Sequence, residues 1–466
     1  MVNPRWILAA IVLTAASCSF LDVEPETEIS RNEAFASVET AERVLVGIYQ
    51  LLGGTSNDNY YRTLVPLYPE AKGNLKPTPR GFNSGNTSFA RYAQLFNCTV
   101  TPNYDNSNFD DMYENAYGIL YQVNDFIVGV GQIPGLGEEQ RATFLAEAHF
   151  IRALVHFNLV NQFAHPPGFT VDDGHLGVVL ALEVADLLER RPRNTVAEVY
   201  DAILADLTVA LENSSPSAPR PSSRPIWVTR PAVLALLARV HAYRRDWSAT
   251  AEFATLALAE TGSDPATVIL EAEVQFVLDE GDENAIGLGA EVGVGREEPR
   301  VFVSEDLFAL FAPDDLRREL YPFDPEADGR LTRKYPFVPA RINNPPILRV
   351  AELYLLLAEA RAELGNPAEA RAALQPILAA ARPSFTLPEL EGEELLTFIR
   401  RERRRELALE GHHLFDQNRW QLPIPRSDCA FGVETCDIPY PDPRRILPIP
   451  LGAIIRNRQL VQNEGY

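Results

Sequence analysis

Two stretches of this chain follow one plan: a helical run, a tight turn, and a second helical run dense in alanine. They are residues 236–251 and 357–370. In the first, Ala238 and Ala242 precede Arg244, Arg245 and Asp246, and Ala249 and Ala251 follow. In the second, Ala358, Ala360 and Ala362 precede Gly365 and Asn366, and Ala368 and Ala370 follow. Small residues let two helices cross closely, and large apolar residues then fill the space between neighbouring pairs. The two copies are divergent and far apart, so a regular solenoid is excluded. The expected architecture is mainly α: tetratricopeptide-like helix pairs interrupted by long irregular insertions.

Helical periodicity elsewhere supports this. Expected helices cover 38–53, 112–130, 138–163, 194–211, 231–243, 248–260, 351–364, 367–381 and 393–409. Ser37 is placed to cap the first, Gly53 and Gly54 to end it. Pro231 suits a first helical turn, whereas Pro376 should kink or split the helix that contains it. Between these runs lie loop-rich segments at 55–111, 214–225, 264–344 and 421–445. The third holds a short β-like run at 274–278. Loops of such length in a compact protein are usually functional.

The amino terminus sets the compartment. Arg5 precedes an apolar run at 6–16, far shorter than the ~20 residues needed to span a bilayer. Ala16 and Ser17 then lead to Cys18. Small residues before such a cysteine resemble a bacterial lipobox, although Ala15 stands where leucine is more usual. The resemblance implies a signal peptide at 1–17 and a diacylglycerol on the Cys18 thiol. Several acyl chains hold a protein stably, since each buried methylene contributes about 0.8 kcal/mol. Asp22, Glu24 and Glu26 follow, an acidic stretch similar to the surface-export signal of some Gram-negative lipoproteins.

The formal charge of −22 excludes nucleic acid as a natural partner, because a polyanion would be repelled. Of the other cysteines, Cys429 and Cys436 lie close together in a proline-rich loop. They fit either a small disulfide in an oxidising compartment or two buried thiols. Cys98 stands alone. No cysteine or histidine spacing indicates a metal site. Glu402, Arg403, Glu406 and Glu410 recur at spacings of three and four, which favours ion pairing along and between helices over acid–base or metal chemistry.

Several segments, in order, are similar to those of the SusD/RagB family. Phe20-Leu21-Asp22-Val23-Glu24-Pro25 resembles its opening. Ala146-Glu147-Ala148-His149-Phe150-Ile151-Arg152-Ala153 resembles its first long repeat helix, and Val199-Tyr200-Asp201-Ala202-Ile203-Leu204-Ala205-Asp206-Leu207 its next. The run from Ile347 to Ala360 resembles its most recognisable segment. Glu402-Arg403, Glu406-Leu407, Glu410-Gly411, Phe415-Asp416 and Arg419-Trp420 resemble its carboxy-terminal signature, with His413 where arginine is more common.

The resemblance implies a signal peptide (1–17), an amino-terminal region with helical repeats and a ligand-loop insertion (18–225), and a carboxy-terminal region (226–466). It implies a surface lipoprotein of the outer membrane that caps a SusC-like TonB-dependent transporter. The ligand would be a glycan or, in some members, a peptide; no cofactor and no catalysis are expected. A glycan site needs flat rings for sugar faces and polar groups for hydroxyls. The segment from Tyr60 to Tyr104 is rich in both. The expected ligand contacts are Arg80, Tyr92 and Asn97, with Tyr60 and Tyr61 as a second choice. The opposing reading is that these aromatics pin long loops to the helices. A helical glycosidase would instead need two carboxylates facing each other at roughly 5–9.5 Å, and no motif supplies them. A pure protein-interaction scaffold is the third reading.

The lipid anchor makes a direct prediction. Cys18→Ala should abolish incorporation of labelled palmitate and move the protein out of the membrane fraction; unchanged labelling would place the acyl chain elsewhere.

Overall fold

The computed structural model describes residues 30–53, 60–61, 65–77, 95–96, 100–102, 107–184, 189–222, 224–271, 301–335, 344–426 and 437–466. Cys18, Arg80, Tyr92, Asn97, Cys98, Cys429, Cys436 and the β-like run at 274–278 lie outside them.

Consecutive helices pack on one another along the chain. After a single capped turn, α1 (Arg31–Ala34), come α2 (Val38–Gly53), α3 (Val65–Glu70), α4 (Ser107–Val130), α5 (Glu138–Phe163) and α6 (Val196–Asn213). They continue with α7 (Arg230–Tyr243), α8 (Trp247–Thr261), the single turn α9 (Glu305–Phe308), α10 (Val350–Glu363), α11 (Pro367–Ala381) and α12 (Gly392–Glu406). The last are α13 (His413–Trp420) and α14 (Leu451–Arg456). Helix α2 packs on α4, α4 on α5, and α5 on α6; α7 pairs with α8, α8 meets α10, and α10 pairs with α11. The mainly α, paired-helix architecture expected from the alanine-rich junctions is the one found.

The two repeat junctions share one hydrogen-bond pattern. In the first, the N–H groups of Arg244, Arg245 and Asp246 donate to the carbonyls of Val240, Ala242 and His241. In the second, those of Leu364, Gly365 and Asn366 donate to Ala360, Ala362 and Arg361. The middle residue of each turn is left-handed: Arg245 at φ 60° and Gly365 at φ 76°. Asp246 then caps α8 by accepting from the Ala249 N–H. Arg245 adopts this costly conformation with its guanidinium on the Arg419 carbonyl at 2.7 Å.

One large apolar core runs through most of the helices. A satellite core joins α10, α11 and α12 through Leu355, Leu374, Ile377, Leu395 and Ile399. Helix α10 serves both, with Leu353 and Leu356 in the large core and Leu355 and Ala358 in the small one. Two small sheets complete the fold. One has the order β1 (Leu75–Pro77), β3 (Val301–Val303), β5 (Gly329–Arg330), β4 (Phe323–Asp324). The other pairs β2 (Val268–Glu271) with β6 (Pro346–Arg349). All pairings are antiparallel, with Leu75 opposite Val303 and Pro77 opposite Val301.

Two local expectations change. Pro376 does not split α11. The carbonyl it frees belongs to Ala372, an exposed residue open to solvent. And α12 ends at Glu406, three residues early. Leu409 is left-handed at φ 67°, and Glu410 lies in the turn that follows, off the helical face expected for it.

Gly365→Ala tests the junction. A methyl group there would meet no atom within 4 Å, so only the backbone penalty acts. Urea unfolding should show a loss of about 1–2 kcal/mol, whereas Arg245→Gly should relieve strain at the cost of two guanidinium hydrogen bonds to the Arg419 carbonyl.

Candidate functional site

The segment expected to carry ligand residues starts from a rigid base. Val65 through Glu70 are all buried, and a turn at 71–74 leads into β1. The Glu70 carboxylate organises this base. It accepts from the N–H groups of Leu409 (3.0 Å), Gly411 (2.9 Å) and His412 (2.9 Å), and from the Asn74 amide at 2.7 Å. The turn between α12 and α13 is thus folded around a side chain more than 330 residues earlier, as 409 − 70 shows. Burial raises Glu70, and the hydrogen bonds from Asn74 and from the Leu409, His412 and His413 backbones oppose the rise.

Further contacts close the base. Arg404 donates to Asn74 Oδ1 at 2.8 Å and to the Gly73 carbonyl at 2.9 Å, and Ser304 donates to that carbonyl at 2.8 Å. Gly73 sits at φ 147°, where a Cβ would lie 2.9 Å from His413 Nε2, so no larger residue fits. The Lys72 ammonium, buried, donates to the Leu95 carbonyl at 2.8 Å. Arg426 donates to the Phe96 carbonyl, and its own N–H donates to Asp437 at 2.8 Å. Segment 78–94 therefore leaves from Pro77, paired with Val301, and returns at Leu95, tied to Lys72. Segments 272–300 and 427–436 end on the same base, at Val301 and between Arg426 and Asp437.

Beneath it lies a ladder of buried ions. Lys334 and Arg349 both pair with Glu410, the latter at 2.8 Å; Arg349 and Arg317 each reach Glu406 at 3.0 Å. Burial alone would raise Glu410 and Glu406, but the neighbouring cations outweigh it and hold both below the usual carboxylate range. These are structural ion pairs between elements, as the interleaved arginines implied. Among the described residues, no group of three or more His, Cys, Asp or Glu side chains is placed to hold a metal ion.

Of the expected ligand residues, Tyr60 and Tyr61 are described. They are 0% and 6% exposed. Their rings meet edge to face at 5.5 Å, and the Asn158 amide donates to the Tyr61 hydroxyl at 2.7 Å. Neither ring is presented to solvent. They pin their segment to α5, because two buried hydroxyls find their partner there. Tyr61 also walls a small cavity of about 30 Å³ with Pro66, Phe157, Arg239 and His412. The supporting roles of Glu70, Lys72 and Arg426 escaped the sequence. The one signal for Lys72 was its rarity, as one of three lysines with Lys76 and Lys334.

This architecture is a helix-pair scaffold with charged anchors at the ends of long insertions. Two family models match the chain, the SusD family over residues 340–466 and a family described as "Starch-binding associating with outer membrane" over residues 19–242. The chain belongs to the SusD/RagB family. It is 23% identical to SusD-like protein P25 of Formosa agariphila, over 98% of each chain. It superposes on a SusD superfamily protein of Bacteroides thetaiotaomicron with a TM-score of 0.81 at 23% identity, covering 92% of this chain and 100% of that one. A SusD-like carbohydrate-binding protein of Bacteroides vulgatus gives 0.75 at 19% identity, covering 91% and 98%.

Buried histidines on α5 and in the base give the fold a pH dependence. Desolvation lowers His156 to about 4 and His412 to about 3, and His413 well below its ordinary value. Unfolding restores values near 6.5. The unfolded chain therefore binds more protons as pH falls from about 6.5 towards 4. Stability is complete above that window and is lost within it. His156 and His412 should each cost about 2 kcal/mol between pH 7.5 and pH 5.0. Urea midpoints at the two pH values check this; equal midpoints would mean that these histidines are protonated in the fold.

Proposed function

We propose that this protein is a lipid-anchored, surface-exposed glycan receptor of the outer membrane that caps a SusC-like TonB-dependent transporter and delivers ligand to it. The observation that carries the reading is the anchored base around Glu70. It fixes both ends of segment 78–94, which holds Arg80 and Tyr92, close to Asn97. A flexible insertion would lose much of its binding energy to ordering; ends held by buried charges reduce that cost. The names of SusD-like relatives as carbohydrate binders support the glycan assignment, and the description of the matching family supports the membrane. On this reading Arg80, Tyr92 and Asn97 contact the sugar, and Tyr60 and Tyr61 support the wall behind them. The chain divides at residue 225 into a ligand-loop half and a carboxy-terminal half, and Cys18 carries the lipid.

The role is binding without chemistry. A peptide ligand would use the same loops, with Arg80 recognising a carboxylate. Cys429 and Cys436, in a segment whose two ends lie on the base, are suited to close it by a disulfide in an oxidising compartment.

Affinity gel electrophoresis against starch, laminarin, xylan and mannan tests the glycan assignment. At least one polysaccharide should retard the wild type, and Arg80→Ala with Tyr92→Ala should reduce that retardation at least tenfold. No retardation by any of them, with binding of a peptide mixture, would favour the peptide reading. The transporter role predicts co-purification in mild detergent with an interface above ~2,000 Å²; recovery of the acylated protein alone from co-expressing cells would remove it.

A further inference from the structure

The exposed apolar side chains of this protein are unevenly spread. Among the described residues thirteen large apolar side chains are exposed. Six of them, Tyr121 and Val128 of α4 with Leu182, Val184, Ile455 and Val461, come from segments that hydrogen bonds hold side by side. The Tyr117 hydroxyl donates to the Val179 carbonyl at 3.0 Å, and the Asn124 amide to those of Ala181 and Glu183 at 2.9 and 3.0 Å. These bonds lay residues 179–184 along α4. Arg190 donates to the Arg456 carbonyl at 2.7 Å, Asn457 to that of Arg191 at 2.8 Å and Arg193 to that of Val461 at 3.0 Å. Single exposed apolar residues are ordinary, but a gathering of them marks a contact surface.

The surface has two ends. Glu114, Tyr121 and Val128 recur at seven residues, so they share one face of α4 and span about 20 Å along it. At one end Arg456 of α14 pairs with Glu114. At the other, Arg31 of α1 pairs with Asp125 at 2.6 Å, and Phe35 packs so closely on Gly129 that a Cβ there would meet its ring. The described chain begins here, at Ser30. Cys18 lies 30 − 18 = 12 residues earlier, and such a segment reaches at most ~40 Å. On the lipid-anchor reading, the acyl chains are therefore tethered to one end of this surface.

The tether brings a bilayer within reach, and the chemistry of the surface suits one. Tyr121 and Val128 stand about 10 Å apart along α4, with the Arg31–Asp125 pair between them. A protein partner seats its apolar anchors in matching pockets, whereas a headgroup layer accepts separate side chains wherever they project. Tyrosine, with an apolar ring and a polar tip, is enriched at that layer. The acids beside these side chains each have an arginine partner: Asp125 has Arg31, Glu114 has Arg456, and Glu183 and Glu189 share Arg191 at 2.6 and 2.7 Å. They thus add little repulsion from an anionic leaflet.

We propose that this surface lies on the lipid headgroups of the membrane, so that the anchored body stands in one orientation instead of swinging on its tether. The inference rests on the anchor at Cys18 but on residues that play no part in ligand binding. Acylated protein in vesicles of phosphatidylethanolamine and phosphatidylglycerol with brominated acyl chains tests it. Val128→Trp and Val461→Trp put a fluorophore on the surface. Leu256→Trp on α8 and Leu364→Trp after α10 put one at comparably exposed positions elsewhere. With the wild-type signal subtracted, the bromolipid should quench the first two at least threefold more than the other two, and polysaccharide retardation should be unchanged in all four. Equal quenching of all four would mean a freely turning body, and quenching of none a body held off the bilayer; either overturns the inference. Quenching at 128 and 461 that disappears once a SusC-like transporter is reconstituted beside the protein would overturn it too, because the surface would belong to that partner. The palmitate label keeps the two readings apart. Labelled protein without selective quenching removes the lipid contact alone, and unlabelled protein removes the anchor with it.

Discussion

Four helices of this protein are held in register by charges that have no water to turn to. Arg403 of α12, fully buried, pairs with Asp416 of α13 at 2.7 Å and with Glu352 of α10 at 3.2 Å. Glu352 also takes Arg239 of α7 at 2.9 Å. Arg419 of α13 grips Glu359 of α10 through two bonds, at 2.8 and 2.7 Å, and reaches back to Asp416 at 2.9 Å. Removing an ion from water costs several kcal/mol, and breaking one partner of a buried pair costs about 3–5 kcal/mol. Burial would raise Glu352, but Arg239, His412 and Arg403 together hold it far below its ordinary value. Helices displaced by even a partial turn would bury these charges unpaired. The network therefore specifies one arrangement of α7, α10, α12 and α13 more sharply than apolar packing alone does.

That arrangement positions the ends of the long insertions. Helix α13 starts where the turn around Glu70 ends, and the turn follows α12 directly. Fixing α12 and α13 through Arg403 and Asp416 thus fixes the backbone N–H groups that Glu70 requires. Glu70 in turn fixes Gly73 and Asn74, from which β1 departs. A chain of short-range contacts runs from the scaffold to the foot of segment 78–94 without any long lever. The same logic accounts for the burial of Tyr60 and Tyr61. Both rings hold their own segment against α5 through Asn158.

The sequence discloses the parts that depend on local rules. Helix α5 is found at the bounds its periodicity implies, Glu138–Phe163, because its pattern is long and uninterrupted. The α7–α8 and α10–α11 junctions are legible because a turn between antiparallel helices needs small residues beside it. What is not legible depends on partners distant in the chain. Glu410 continues the spacing of Glu402 and Glu406 and so reads as helical. It leaves the helix because Glu70 claims the N–H groups of Leu409, Gly411 and His412. Pro376 reads as a break, yet the carbonyl it frees lies on the wet side of α11.

On the proposed reading, placing recognition on insertions and stability on the helices separates two demands that conflict within one element. A sugar offers many hydroxyls and little apolar area, so discrimination between glycans must come from the placement of rings and amides, which varies from one ligand to the next. A helix cannot vary its backbone to follow them without losing packing. Loops can, provided their ends do not move. Arg404, Lys72 and Arg426 each donate to a backbone carbonyl, that of Gly73, Leu95 or Phe96, and a backbone carbonyl is present whatever side chain the position carries. The anchors thus restrain the loop ends and impose no choice on the residues between them. Substitution within 78–94 can therefore proceed while the charged base beneath stays intact.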